Sequence, residues 1–430
     1  VKVHFMRESG ILMHITSLPG PYGVGTMGKE AYKFVDFMKD AGQRVWQILP
    51  LNPTGYGDSP YQSCSTYAGN HYLIDLDTLV EEGLLEKSEI ENITWGYRED
   101  KVDFGALYNN RLKVLRLAYG RFADQAGLDA FIQENSSWLP DYALFMALKD
   151  RFGGKTWSNP QLFQMNERLD PTDVAGCPPD AFTADGQLWG NPLYRWDVME
   201  KDGFDWWMRR LAAAGERYDV VRLDHFRGFE AYWAVPYGNP TARIGQWIKG
   251  PGIRFMNTIK ERLPKLDLIA EDLGFLTQDV LDLRDESGFP GMKVLGFAFD
   301  SREPSEYLPH TYPTNSVCYT GTHDNQTTRQ WFDTVGQEAV EYAKEYMTLS
   351  DQEGYVWGVI RTAFASVSDL CVVPLQDYLD IGAEGRMNFP GTMTDANWTW
   401  RTKPGTYTAE LAEKIKKLTV LYGRASKKAE

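Results

Sequence analysis

The feature that most constrains this chain is an alternation of short β-branched, apolar runs with longer stretches of helical periodicity. Parallel strands cannot be joined by a hairpin; each needs a crossover, and a helix is the usual one. Residues 11–16, 44–49, 219–224, 267–271, 292–299, 316–321 and 370–375 read as strands. Residues 29–41, 204–217, 277–284 and Ala409–Leu421 read as helices. The first carries Ala31, Phe34, Val35 and Met38 on one stripe, and the third opens on Thr277 as an N-cap. The expected fold is α/β: a (β/α)8 TIM barrel with inserted, mostly helical subdomains, with residues 1–430 forming one catalytic unit. A helical insertion is expected over about residues 79–170, and an active-site insertion of loop and helix over 225–260. Seven strands are counted, one fewer than a closed barrel needs. The missing one falls between Leu49 and Asp219, at a seam near Trp157-Ser158 where a helix stops and a loop begins.

Three of the runs end abruptly on a carboxylate: Val220-Val221-Arg222-Leu223-Asp224, Leu268-Ile269-Ala270-Glu271 and Tyr319-Thr320-Gly321-Thr322-His323-Asp324. The C-terminal ends of barrel strands are where such folds do chemistry. Side chains alternate along a strand, so Arg222 and Asp224 share one face, Ile269 and Glu271 another, and Thr320, Thr322 and Asp324 a third. Outward faces are buried under helices, which leaves these acids to line the lumen. Two carboxylates flanking a glycosidic bond can perform the whole reaction, one as nucleophile and the other as acid and then base. Arg222 beside Asp224 keeps it ionised. Glu271, in a more apolar setting, can hold the raised pKa of a general acid. Asp324 would grip ring hydroxyls and stabilise developing positive charge. A lone Asp at a strand end is commonly a turn former; recurrence at three ends argues for the site. No H-x-x-x-H or H-x-x-E-H spacing points to a metal. No cofactor is expected, since carboxylates fill both roles.

The net charge of -14 argues against a nucleic-acid partner, which would require a basic face, and none is expected. No apolar stretch has the length to cross a bilayer, so no membrane partner is expected. Cys64, Cys177, Cys318 and Cys371 are widely spaced, and the last two sit in apolar runs as reduced thiols. With no signal-like N-terminus, the expectation is the cytoplasm, or a plastid stroma if a transit peptide has been removed.

At this point the sequence resembles the 4-α-glucanotransferases, the amylomaltase or disproportionating-enzyme branch of the α-amylase clan. The stretches that carry the likeness include Gly55-Tyr56-Gly57-Asp58-Ser59-Pro60-Tyr61, Trp189-Gly190-Asn191-Pro192, Val221-Arg222-Leu223-Asp224-His225-Phe226-Arg227-Gly228 and Ala270-Glu271-Asp272-Leu273-Gly274. Others are Pro290-Gly291-Met292-Lys293, Thr320-Gly321-Thr322-His323-Asp324-Asn325, and Arg386-Met387-Asn388 followed by Pro390-Gly391. They cover nearly the whole chain. The resemblance implies transfer of a maltooligosaccharide segment to the 4-hydroxyl of another glucan through a covalent intermediate on Asp224. An α-glucan hydrolase and an inactive glucan-binding barrel are the alternatives. It further implies Glu271 as acid/base, Asp324 as stabiliser, and Arg222 and His323 as helpers. Tyr56, Ser59, Tyr61, Trp189, Phe297 and Asn325 would contact the glucan. For Tyr56, Tyr61 and Trp189 the plain alternative is loop packing, and for Phe297 core packing.

One departure stands out. Family members carry a stretch of the type Gly-Asp-Ile-Pro-Ile-Tyr-Val before the motif found here as Asn159-Pro160-Gln161-Leu162-Phe163. It is absent, at the seam already located by counting strands. Either a β/α unit has been lost or residues are skipped there; the second is favoured, because losing a stave leaves unpaired edges on both neighbours.

Overall fold

The computed structural model describes residues 7–151, 159–179, 183–274, 276–299 and 305–425. Its main sheet has seven strands: β1 (Glu8–Leu12), β2 (Val45–Gln47), β5 (Val220–Leu223), β8 (Asp267–Ala270), β9 (Gly291–Val294), β10 (Ser316–Tyr319) and β11 (Leu370–Pro374). Every neighbouring pair is parallel, in the order β2-β1-β11-β10-β9-β8-β5. The order follows the chain around a barrel and stops short of closing. The two edges are β2 and β5, the strands between which the sequence count falls one short. No strand pairs β2 to β5 among the described residues. Side chains bridge the opening instead. The Tyr218 hydroxyl accepts from Leu51 N at 3.4 Å, and the Arg217 guanidinium donates to the carbonyls of Thr66 and Tyr67.

Strands β9, β10 and β11 are buried at every position, as expected of parallel strands covered on both faces. On β5 and β8 the alternation of faces is visible. Leu223, Leu268 and Ala270 join an outer cluster with Trp207, Met208, Phe255 and Ile259 of two flanking helices. Ile269 joins Met292, Val294 and Ile11 in the central cluster. Gly10 is required where β1 meets β2, since a Cβ there would run into the Val45 carbonyl.

Several boundaries differ from expectation. The first strand starts earlier, and Ile15–Ser17 is a 3-10 turn. The strand expected over 292–299 ends at Val294, after which Leu295–Phe297 coils into another 3-10 turn. In the helix Lys29–Asp40 the buried stripe is Phe34, Phe37 and Met38, whereas Val35 faces solvent. Thr277 precedes the helix Gln278–Ser287 but makes no side-chain cap bond.

Helices Leu76–Glu81, Ser88–Glu91, Phe104–Arg121, Gln125–Glu134 and Leu139–Arg151 follow β2, and residues 159–172 are loop and turn. Part of this region forms a separate core around Tyr72, Leu76, Trp95, Leu107 and Val114. The loop-and-helix insertion at 225–260 needs correction. Strands β6 (Ala231–Pro236) and β7 (Gln246–Lys249) precede the helix Gly252–Arg262. With β3 (Asp173–Cys177) and β4 (Gln187–Pro192) they form a second, antiparallel sheet in the order β4-β3-β6-β7, in which β6 pairs with β3 and β7 with β6.

The two ends of the described chain are tied together under the barrel. The buried Arg424 guanidinium donates to the carbonyls of Glu8, Phe364, Ser366 and Ser368, while Arg7 reaches those of Tyr422, Ser366 and Phe364. No helix among the described residues is long and apolar enough to cross a membrane.

Candidate active site

Asp224 and Glu271 each stand one residue beyond their strands. The register pairs Leu223 with Ala270, so the two acids are the next step of the same ladder, on strands about 4.8 Å apart. Backbone bonds continue past the strand ends: Glu271 N donates to Leu223 O at 3.0 Å, and Phe226 N to Glu271 O at 3.0 Å. His225 adopts a left-handed φ of 49°, which turns its N–H onto Glu271 Oε2 at 2.6 Å. Leu273 N donates to Glu271 Oε1 at 3.1 Å.

Environment drives these neighbouring carboxyls apart. Arg222 Nη2 lies 2.7 Å from Asp224 Oδ1, and Arg222 Nε points at Met292 Sδ. Desolvation in the cleft pushes the Asp224 pKa up although its side chain stays 54% exposed, but the charge of Arg222, then of His323 and His225, together with the Arg222 hydrogen bond, brings it below the ordinary value. For Glu271 burial dominates. Arg222 and the two backbone N–H groups oppose it and the Asp224 charge reinforces it, and the result is a pKa of about 8. At neutral pH one acid is ionised and its neighbour carries a proton.

Asp324 follows β10 on a loop held from two directions. Asn388 Nδ2 donates to Asp324 Oδ1 at 2.7 Å, and Arg386 Nη2 to the Asp324 carbonyl at 3.4 Å. His323 Nε2 lies 3.4 Å from Asp324 Oδ2. The base of the loop is locked by buried Asp377, which accepts from Thr320 Oγ1 (2.6 Å), Thr328 N (2.7 Å) and Thr328 Oγ1 (2.8 Å). Tyr61 stacks on His323 with ring centres 5.2 Å apart at 11°. Its hydroxyl feels the charges of Arg222, Asp224, Asp324 and Glu271, and burial raises its pKa. Trp398 completes a triangle of rings, 6.0 Å from His323 and 6.1 Å from Tyr61.

The remaining expected contacts divide. Trp189, at the second sheet, sets its ring edge-on to His225 at 4.7 Å. Phe297 rides on the 3-10 turn after β9, against Tyr307. The Asn325 carboxamide closes its own turn, accepting from Thr322 N and Oγ1, and the Ser59 hydroxyl accepts from Tyr61 N at 3.3 Å. Tyr56 is 88% exposed at the rim. Sequence reasoning missed Asn388, Arg386 and Asp377. The first two lie in a stretch that had been matched, but no periodicity or charge pairing marked them.

The model of the family described as 4-alpha-glucanotransferase matches residues 13–159 and 153–408. The chain belongs to the 4-α-glucanotransferase family. The similar proteins named 4-alpha-glucanotransferase include one from Clostridium butyricum, 44% identical over 96% of this chain and all of that one. Another, from Thermus thermophilus, is 40% identical over 95% and 97%. An amylomaltase from Streptococcus agalactiae, solved in complex with acarbose, superposes with a TM-score of 0.94 at 37% identity, covering 98% of this chain and 100% of that one. As a 4-α-glucanotransferase, the chain has the (β/α)8-type barrel expected, with seven staves among the described residues. The C. butyricum alignment runs over 486 positions, of which this chain's 96% fills about 413. At least about 70 residues of that relative therefore lack a counterpart. The two segments of the family match meet at residues 153–159, which fall between β2 and β5 in the sequence.

Proposed function

We propose that this 4-α-glucanotransferase works through a covalent glycosyl ester on Asp224. Glu271 protonates the departing glucan oxygen and then takes the proton of the incoming 4-hydroxyl, and Asp324 stabilises the oxocarbenium-like state. The observation that carries this reading is the placement of two acids on adjacent rungs of one ladder, one against the Arg222 guanidinium and the other accepting from two backbone N–H groups. Arg222 supplies the charge that keeps the nucleophile ionised. Asn388 and Arg386 hold Asp324 toward the cleft. Tyr61 and His323 offer a stacked wall, with Trp189, Phe297 and the Tyr56 rim further out along the glucan. The donor and acceptor are α-1,4-linked oligosaccharides, supported by the names of the relatives and by the acarbose-bound amylomaltase. Unbridged Cys318 and Cys371, opposite each other on β10 and β11, suit the reducing cytoplasm as compartment.

Incubation with maltotriose tests the reaction: transfer gives glucose and longer oligomers together. Asp224→Asn tests the nucleophile, and activity within tenfold of the parent would overturn its role.

A further inference from the structure

Resting on that reading, we infer that Tyr319 and Gln47 are positioning residues for the transfer: their hydrogen bond across the lumen makes the floor that holds Arg222 against Asp224. Tyr319 ends β10 and Gln47 ends β2, strands separated in the sheet by β1 and β11. The Tyr319 hydroxyl donates to Gln47 Oε1 at 2.9 Å, so the bond joins strands that are not neighbours and passes through the inside of the barrel. The Tyr319 ring is fully buried. Gln47 is itself fixed, since its carbonyl accepts from Met13 N at 2.9 Å.

Arg222 enters the same lumen from β5. Its Nε reaches Met292 Sδ on β9 at 3.4 Å, while Nη2 meets Asp224 Oδ1. A guanidinium carries five donors and a thioether is a weak acceptor, so a buried cation placed this way gains from an oxygen beside it. Because Tyr319 gives its proton to Gln47, its lone pairs are left to face the lumen, where the phenol lies within range of the Arg222 charge. The Gln47 oxygen thereby sets the direction of the Tyr319 dipole, and that dipole steadies Arg222.

The experiment takes Tyr319→Phe, Gln47→Met and the double variant through kcat/KM against pH on maltotriose, with melting temperatures to confirm folding. A loosened Arg222 offsets less of the burial at Asp224, so the nucleophile stays protonated to higher pH and the acidic limb moves up. The other groups facing this pair are Glu271 after β8, His225 after β5, His323 and Asp324 after β10, and Tyr61 from the loop after β2; all are unchanged in the three variants. Each single variant is expected to lose about five- to tenfold at neutral pH, the size of one buried hydrogen bond. The double variant should lose no more than about twice what either single loses, since the two act as one unit. An acidic limb left at the parent's pH in a folded variant, or losses that multiply, overturns the inference. Packing alone would lower the melting temperature and leave the limb in place. Should Tyr319→Phe fail to fold, Gln47→Met carries the same test of the limb. Asp224→Asn at background activity together with an unmoved limb removes only this inference. Asp224→Asn close to the parent removes the reading of Asp224 as nucleophile beneath it.

Discussion

Replacing Arg222 by leucine removes the charge that offsets burial at Asp224. The nucleophile then stays protonated to higher pH. kcat/KM is expected to fall roughly 100-fold or more at neutral pH, with the acidic limb of its profile moving upward; lysine at the same position keeps the charge and recovers part of the loss. Glu271 sets the opposite limb. Its acid form is needed first and its pKa stands at about 8, so kcat/KM should fall as pH rises through about 8. Glu271→Gln abolishes that limb, and a donor whose leaving group needs no proton, such as α-glucosyl fluoride, should still glycosylate Asp224 in that variant. A profile flat to well above 9 in the parent would contradict the assignment. The placement of both acids at neighbouring strand ends was legible from the sequence because alternation on a β-branched run fixes which way a side chain points. Asn388 was not, since it reaches Asp324 from a loop whose geometry depends on the whole chain closing around it.

Asp377 ties three elements together: it links the end of β10, the start of the helix Thr328–Thr334 and the segment after β11. Asp377→Ala leaves buried donors on Thr320 and Thr328 without a partner. A loss of about 3 kcal/mol in denaturant unfolding is expected, with kcat falling more than KM rises because Asp324 is no longer held. Gly10→Ala forces β1 and β2 apart and should lower the melting temperature without altering the pH profile. The barrel strands announced themselves through apolar runs buried on both faces. The second sheet did not. Its strands hold Gly176, Gly190, Pro192 and Pro236, and Gln246–Lys249 is largely exposed. Such segments become strands because partners lie beside them, which local composition does not encode. Val35 misled for a related reason: helical spacing places it beside Phe34, but the cover over that helix falls on the Phe37 side.

At the scale of the whole molecule, strand counting located the interruption, and the sheet stops at the same place, between β2 and β5. Open parallel edges favour association with other chains. Sedimentation should therefore show concentration-dependent association, whereas a coefficient constant over a wide range of concentration would mean the edges are covered. The knot of carbonyl contacts around Arg7 and Arg424 has a different consequence. Since the segments around Arg7 and Arg424 already meet beneath the barrel, a short linker could splice them, and new ends could be cut in an exposed loop. Such a circular permutant would keep every observed stave neighbour while exchanging where the polymer starts and stops.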